Sequence, residues 1–152
     1  MEARFRCDRM LGKLAKWLRI MGYDAYYQSC FKGGARSGPV TAGGRLLLTR
    51  NRAEIALISN SFLISSNQVK DQLRELQDAA LIASDRSQWF TRCILCNTVL
   101  NQAETEVARE RVPDYVYSQN MSSIQNCPSC QRYFWPGSHK EKMIRQLKEW
   151  GL

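Results

Sequence analysis

No apolar run in this chain approaches the roughly 20 residues that cross a bilayer, and the basic N-terminus leads into an amphipathic pattern instead of a secretory h-region. These absences argue against a membrane span and against export, and they set the expectation of a cytoplasmic or nuclear protein. Acids are also scarce: 14 Asp and Glu stand against 22 Lys and Arg, for a net charge of +8. The imbalance is local. Residues 1–60 hold 11 Lys/Arg against 4 Asp/Glu, the middle of the chain is near neutral, and residues 137–152 are basic again. Such asymmetry favours a polyanionic partner, because each neutralised phosphate releases counterions. There is no internal repeat and no long low-complexity segment, and His139 is the only histidine. A length of 152 residues allows one substantial core with a small annex.

Along the chain, Phe5 to Asp8 reads as a short strand, after which the period becomes helical. Leu11, Leu14, Leu18 and Met21 share one face; Arg9, Lys13 and Lys16 lie near the opposite side, with Arg19 flanking them. Asp8 stands where an N-cap belongs, and a carboxylate at a strand end beside a helix N-terminus is also well placed to hold a metal. Gly22 closes the helix and Tyr23 to Gln28 forms a second strand, with Asp24 at its start. The glycine-rich Lys32 to Gly44 reads as a flexible loop. A buried strand at Leu46–Thr49, a short helix over 54–58, a strand at 62–65 and a helix carrying Val69, Leu73 and Leu76 complete an α/β pattern ending near residue 85. Strands alternating with helices predict a parallel sheet.

Of six cysteines, Cys7 reads as a small core residue and Cys30 carries no assignment. The other four form two CxxC pairs, Cys93/Cys96 and Cys127/Cys130, with 30 residues between them. Four thiolates in a tetrahedral set suit structural Zn²⁺, with no open position for catalysis. Asn97, just after the first pair, tolerates the left-handed conformation that such a turn often needs. A redox motif would place one pair at the head of a helix in a βαβ unit, whereas these pairs flank polar, strand-like segments. Beyond them, Ser138 and Glu141 read as a capping box for a helix with Met143, Ile144, Leu147 and Trp150 on its apolar face. His139 has two readings, an imidazole packed at the helix start or a contact to RNA.

The segments "DRMLGKLAKWLRIMGYDAYY", "GRLLLTRNR", "DQLREL", "TRCILCNTVL", "RVPDYVY" and "CPSCQRYFWPGSHKEKM" resemble, in this order and over nearly the whole chain, the PIN-like RNase domain with a C-terminal zinc ribbon, the C-terminal domain family of Mut-seven type exonucleases. The resemblance implies a PIN-like parallel-sheet α/β domain (1–85), a four-cysteine zinc ribbon (93–136) and a C-terminal helix (137–152), with RNA as the substrate class. PIN nucleases hold Mg²⁺ or Mn²⁺ on clustered carboxylates. By position, Asp8 matches the first-strand acid, Asp24 the acid of the G-Y-D element, and Asn51 the acid of T-R-D. Asn51 departs from the pattern, and the glycine-rich stretch stands where the family has an acidic helical segment; Glu54 is the one close replacement acid. The implied function is therefore RNA binding, on single-stranded RNA through Arg9, Lys13, Lys16, Arg19, Arg50, Arg52 and His139, with a degenerate nuclease site. An exonuclease domain in the same parent protein is the implied companion. Two rivals stand beside this: an active Mg²⁺- or Mn²⁺-dependent ribonuclease using Asp8, Asp24 and Glu54, and a docking module for an exonuclease or scaffold.

Overall fold

A computed structural model describes residues 3–27 and 42–152. Cys30 and most of the glycine-rich stretch from Lys32 to Gly44 lie outside the described residues. The chain divides into two compact units, Met1–Asn97 and Thr98–Leu152.

Among the described residues the first unit has four short strands, β1 (Arg4–Cys7), β2 (Asp24–Tyr27), β3 (Leu46–Thr49) and β4 (Ser61–Leu63). They form an all-parallel sheet in the order β2-β1-β3-β4. The connections are helical: α1 (Gly12–Ile20) after β1 and α2 (Arg52–Leu57) after β3, with α3 (Val69–Asp78) following β4. Because β1 leads outward to β2 and β3 leads the other way to β4, the order reverses between β1 and β3. In open α/β sheets the crevice at the carboxyl ends of such a pair is where ligands bind.

The expected helical stripe is the core of this unit: Leu11, Leu14, Leu18 and Met21 are all buried, with Phe5, Leu48, Leu73 and Leu76. α1 packs on β1, β2 and α3, and α2 packs on β3 and β4. Asp8 caps the chain's entry into the helix, its Oδ1 accepting from the Met10 N–H at 2.8 Å. Gly22 ends α1 at φ +93°, and a Cβ there would run into the carbonyl oxygen of Gln88, so both backbone conformation and space demand glycine.

Arg19 departs from the expectation. It is 7% exposed, with Nε donating to the Ala25 carbonyl at 2.9 Å and Nη1 to those of Ile94 and Leu95 at 3.0 and 3.2 Å. A residue at the border of the helix's apolar stripe is thus covered by chain from far downstream, which removes Arg19 from any RNA-facing set.

The second unit has an antiparallel three-strand sheet, β5 (Asn101–Gln102), β6 (Gln125–Asn126) and β7 (Tyr133–Phe134). Between the cysteine pairs the expected strand-like run is largely helical, with α4 (Thr105–Arg111) and α5 (Asp114–Asn120). Ala108 of α4, Val112 in the extended break after it and Val116 of α5 bury together with Ile124, against Tyr117, Tyr133 and Trp135. The last helix, α6 (Ser138–Glu149), starts one residue earlier than a Ser138 capping box requires. Gly137 is its N-cap, with no side-chain cap bond, and the Gly137 carbonyl accepts from the Glu141 N–H at 3.0 Å. Among the described residues no helix is long and apolar enough to cross a membrane.

Candidate nuclease-like edge and metal-binding cysteine cluster

At the switch point between β1 and β3, Asp8 leaves the sheet beside Thr49, its N–H donating to the Leu48 carbonyl at 3.0 Å. Its Oδ2 lies 2.7 Å from Thr49 Oγ1 and accepts from the Arg50 N–H at 2.8 Å. Thr49 Oγ1 also lies 2.7 Å from Glu54 Oε2 and accepts from the Asn51 N–H at 3.0 Å. Thr49 is fully buried, while Asp8 and Glu54 are partly exposed, so the cluster lies at the border between core and solvent. A hydroxyl carries one hydrogen and can donate to only one of the two carboxylates. The other contact sets oxygen against oxygen unless a proton or cation is shared. Asp8 and Glu54 are therefore brought together, by β1, β3 and the first turn of α2.

Asn51 is adjacent and occupied. It is the N-cap of α2, its Oδ1 accepting from the Ala53 N–H at 3.0 Å. Arg50 turns toward the segment after β4, with Nη2 donating to Asn67 Oδ1 at 2.6 Å. That segment is pinned by Glu75, whose carboxylate accepts from the Ser65 and Ser66 N–H groups at 3.0 and 2.7 Å. Burial alone would raise the Glu75 carboxyl. The hydrogen bonds from Ser66 and Ser65 and the nearby Arg50 charge outweigh it, so its pKa falls below the usual value. Arg9, Lys13, Lys16 and Arg52 are exposed, as is His139 in the first turn of α6.

Asp24 does not join this edge. It begins β2 in register with Arg4 at the start of β1, while Asp8 follows Cys7 at the strand's other end; at about 3.3 Å per residue the two lie some 10 Å or more apart along the sheet. Asp24 instead makes a bidentate pair with Arg45, at 2.5 and 3.0 Å, and accepts from Asn97 Nδ2 at 2.6 Å. Burial would raise its pKa, but these hydrogen bonds and the charges of Arg45 and Arg92 lower it. The expected set of Asp8, Asp24 and Asn51 is thus divided between the two ends of the sheet. Arg45, Thr49 and Glu75 were missed in the sequence. Arg45 had a signal: it precedes β3 as Asp24 opens β2, and in a parallel sheet both belong to the amino edge.

The two CxxC turns have the same local form. Asn97 and Gln131 follow them at φ +66° and +63°. Their N–H groups donate to the Cys93 and Cys127 carbonyls, each at 2.9 Å. The Cys96 and Cys130 N–H groups point at Cys93 and Cys127 Sγ, at 3.4 and 3.5 Å. Amides aimed at sulfur favour thiolates. All four Sγ atoms lie within 4.8 Å of one another, and a tetrahedral ion with Zn–S of about 2.3 Å needs sulfurs about 3.8 Å apart. The four residues fit a metal ion of the structural-zinc type.

The chain carries a parallel α/β unit with two acids at its carboxyl edge, four cysteines that can hold a metal ion and a C-terminal helix, and the family match makes this a nuclease-like RNA-processing domain. The family model for the Mut7-C RNAse domain matches residues 3–147, and the chain belongs to that family. No curated protein and no solved structure matches it.

Proposed function

We propose that the domain binds single-stranded RNA and that its metal-dependent nuclease chemistry is weak or lost. Arg9, Lys13 and Lys16, with Arg52 and Arg50 at the carboxyl edge, supply the cationic face; His139 is a separate proposed contact on α6. The observation that carries this reading is the short supply of acid at that edge among the described residues. Asp8 and Glu54 meet on Thr49, position 51 offers a neutral amide already engaged as a cap, and Asp24 is tied to Arg45 at the other end. Hard divalent cations favour charged oxygen ligands, and two carboxylates make a sparse set. Bound Mg²⁺ or Mn²⁺ would supply Lewis acidity and an activated water; Asp8, Glu54 and the Asn51 carbonyl are the groups that would hold it. In this reading the domain positions RNA for an exonuclease domain of the same parent protein.

One observation favours the active-ribonuclease alternative: the single Thr49 proton between two carboxylates leaves room for a shared cation. The experiment compares the unaltered chain, Asn51→Asp and Asp8→Asn on labelled single-stranded RNA, zinc-loaded, with and without Mn²⁺. Binding by all three, with cleavage by Asn51→Asp alone, is the expected result. Mn²⁺-dependent cleavage by the unaltered chain that Asp8→Asn abolishes would replace it with the enzyme reading.

A further inference from the structure

Asp24 stands where the family pattern implies a nuclease acid, yet its partners lead to the first cysteine pair. Asn97, which donates to Asp24, is the residue that closes the Cys93–Cys96 turn: it is left-handed, and its N–H donates to the Cys93 carbonyl. Its side-chain carbonyl accepts from the Ala25 N–H at 3.0 Å, in place of a further strand at the edge of the sheet. Its own carbonyl accepts from Arg92 Nη1 at 2.9 Å, and Arg92 Nε donates to the Gly22 carbonyl at 3.0 Å. The two residues between the cysteines, Ile94 and Leu95, give their carbonyls to buried Arg19. The backbone of the turn is thus held at residues 94, 95 and 97 from the α/β unit.

We infer that Asp24 is a positioning residue for the metal held by Cys93 and Cys96: through Asn97, and with Arg19 beside it, it keeps this CxxC turn in its ligating shape on the edge of the sheet. The inference rests on reading the cysteine cluster as a zinc site. Its physical basis is preorganisation, since a turn already held needs less ordering when the ion binds, and residues that orient metal ligands typically change affinity about 10- to 100-fold. The paired Arg45 keeps the Asp24 carboxylate fixed and charged, which strengthens its bond from Asn97.

The test measures Zn²⁺ affinity of the full chain by competition with a chromophoric chelator, and the thiolate-to-Co²⁺ absorption of the cobalt-loaded protein. Asn97→Gly retains the left-handed backbone while deleting both side-chain bonds; Asp24→Asn keeps an acceptor for Asn97 but loses the charge; Glu75→Gln, in neither metal set, is the control. We expect Zn²⁺ affinity to fall about 10- to 100-fold in Asn97→Gly, less in Asp24→Asn, and to stay unchanged in Glu75→Gln. A merely structural role would lower the stability of these variants and leave metal competition in the folded protein where it was. Asn97→Gly that folds and binds Zn²⁺ like the unaltered chain overturns the inference. If Asn97→Gly does not fold, unchanged affinity in Asp24→Asn overturns it equally. Failure of the unaltered chain to give a four-thiolate cobalt spectrum would overturn the zinc reading as well, so the two failures are distinct.

Discussion

Replacing Arg19 by methionine separates a structural arginine from the exposed cations proposed to face RNA. Methionine keeps most of the buried stem and removes the guanidinium, which leaves three carbonyl oxygens without their donor. An unsatisfied buried polar group costs about 1–3 kcal/mol. Ala25 is fully buried and its carbonyl should bear the full cost, while Leu95 is exposed and Ile94 partly so, and water can replace part of what they lose. The sum is about 2–5 kcal/mol, a large share of the roughly 5–15 kcal/mol that holds a domain together. Urea unfolding of the zinc-loaded protein should show it as a lower midpoint with unchanged slope. Lys16→Met, on the exposed side of the same helix, should fall within about 0.5 kcal/mol of the starting protein yet weaken RNA binding and flatten its salt dependence. An Arg19→Met protein of unaltered stability, or one whose only defect is RNA affinity, would refute the burial argument.

Three further outcomes are expected. Gly22→Ala should destabilise by about 2 kcal/mol or more, because a side chain at φ +93° costs about 1–2 kcal/mol before the contact with Gln88 is counted; thermal unfolding measures it, and a loss below about 0.5 kcal/mol would contradict the geometry. Glu75 has a lowered folded pKa, so its stabilisation is whole above the ordinary glutamate value of about 4.3 and is lost as pH falls through the lower folded value. Glu75→Gln should therefore be less stable than the unaltered chain at pH 6, with the gap closing below about pH 4; a gap that widens on acidification would reverse the sign. Cys7 is buried, which pushes its thiol up to about 12, so at pH 8 it should resist alkylation in the native protein and react only on unfolding, as read by peptide mass spectrometry.

Much of the fold was legible because the signals are local. The spacing of Leu11, Leu14, Leu18 and Met21 placed α1, the apolar Leu46–Thr49 placed β3 within the sheet, and the paired CxxC spacing gave the metal module with Asn97 left-handed. The helices between the cysteine pairs were not legible in the same way, because Ala108 and Val116 lie on two short helices broken at extended Val112 and Pro113 and no single period runs through them. Ser138 was misplaced by one residue because Gly137, which also fits an N-cap, offers no side chain to announce it.

What the sequence determined by itself is the elements of the α/β unit and the ligand set of the paired CxxC motif, since periodicity, capping and ligand spacing are fixed within a few residues of chain. Tertiary structure alone decided which motifs meet. Asp8 finds Glu54 through Thr49 because β1 and β3 are neighbours; Asp24 finds Arg45 and Asn97 because β2 presents its opening residue at the opposite end. Arg19, at the border of its helix, is buried only because Ile94 and Leu95, some 75 residues onward, return to cover it, and no local pattern records the arrival of distant chain.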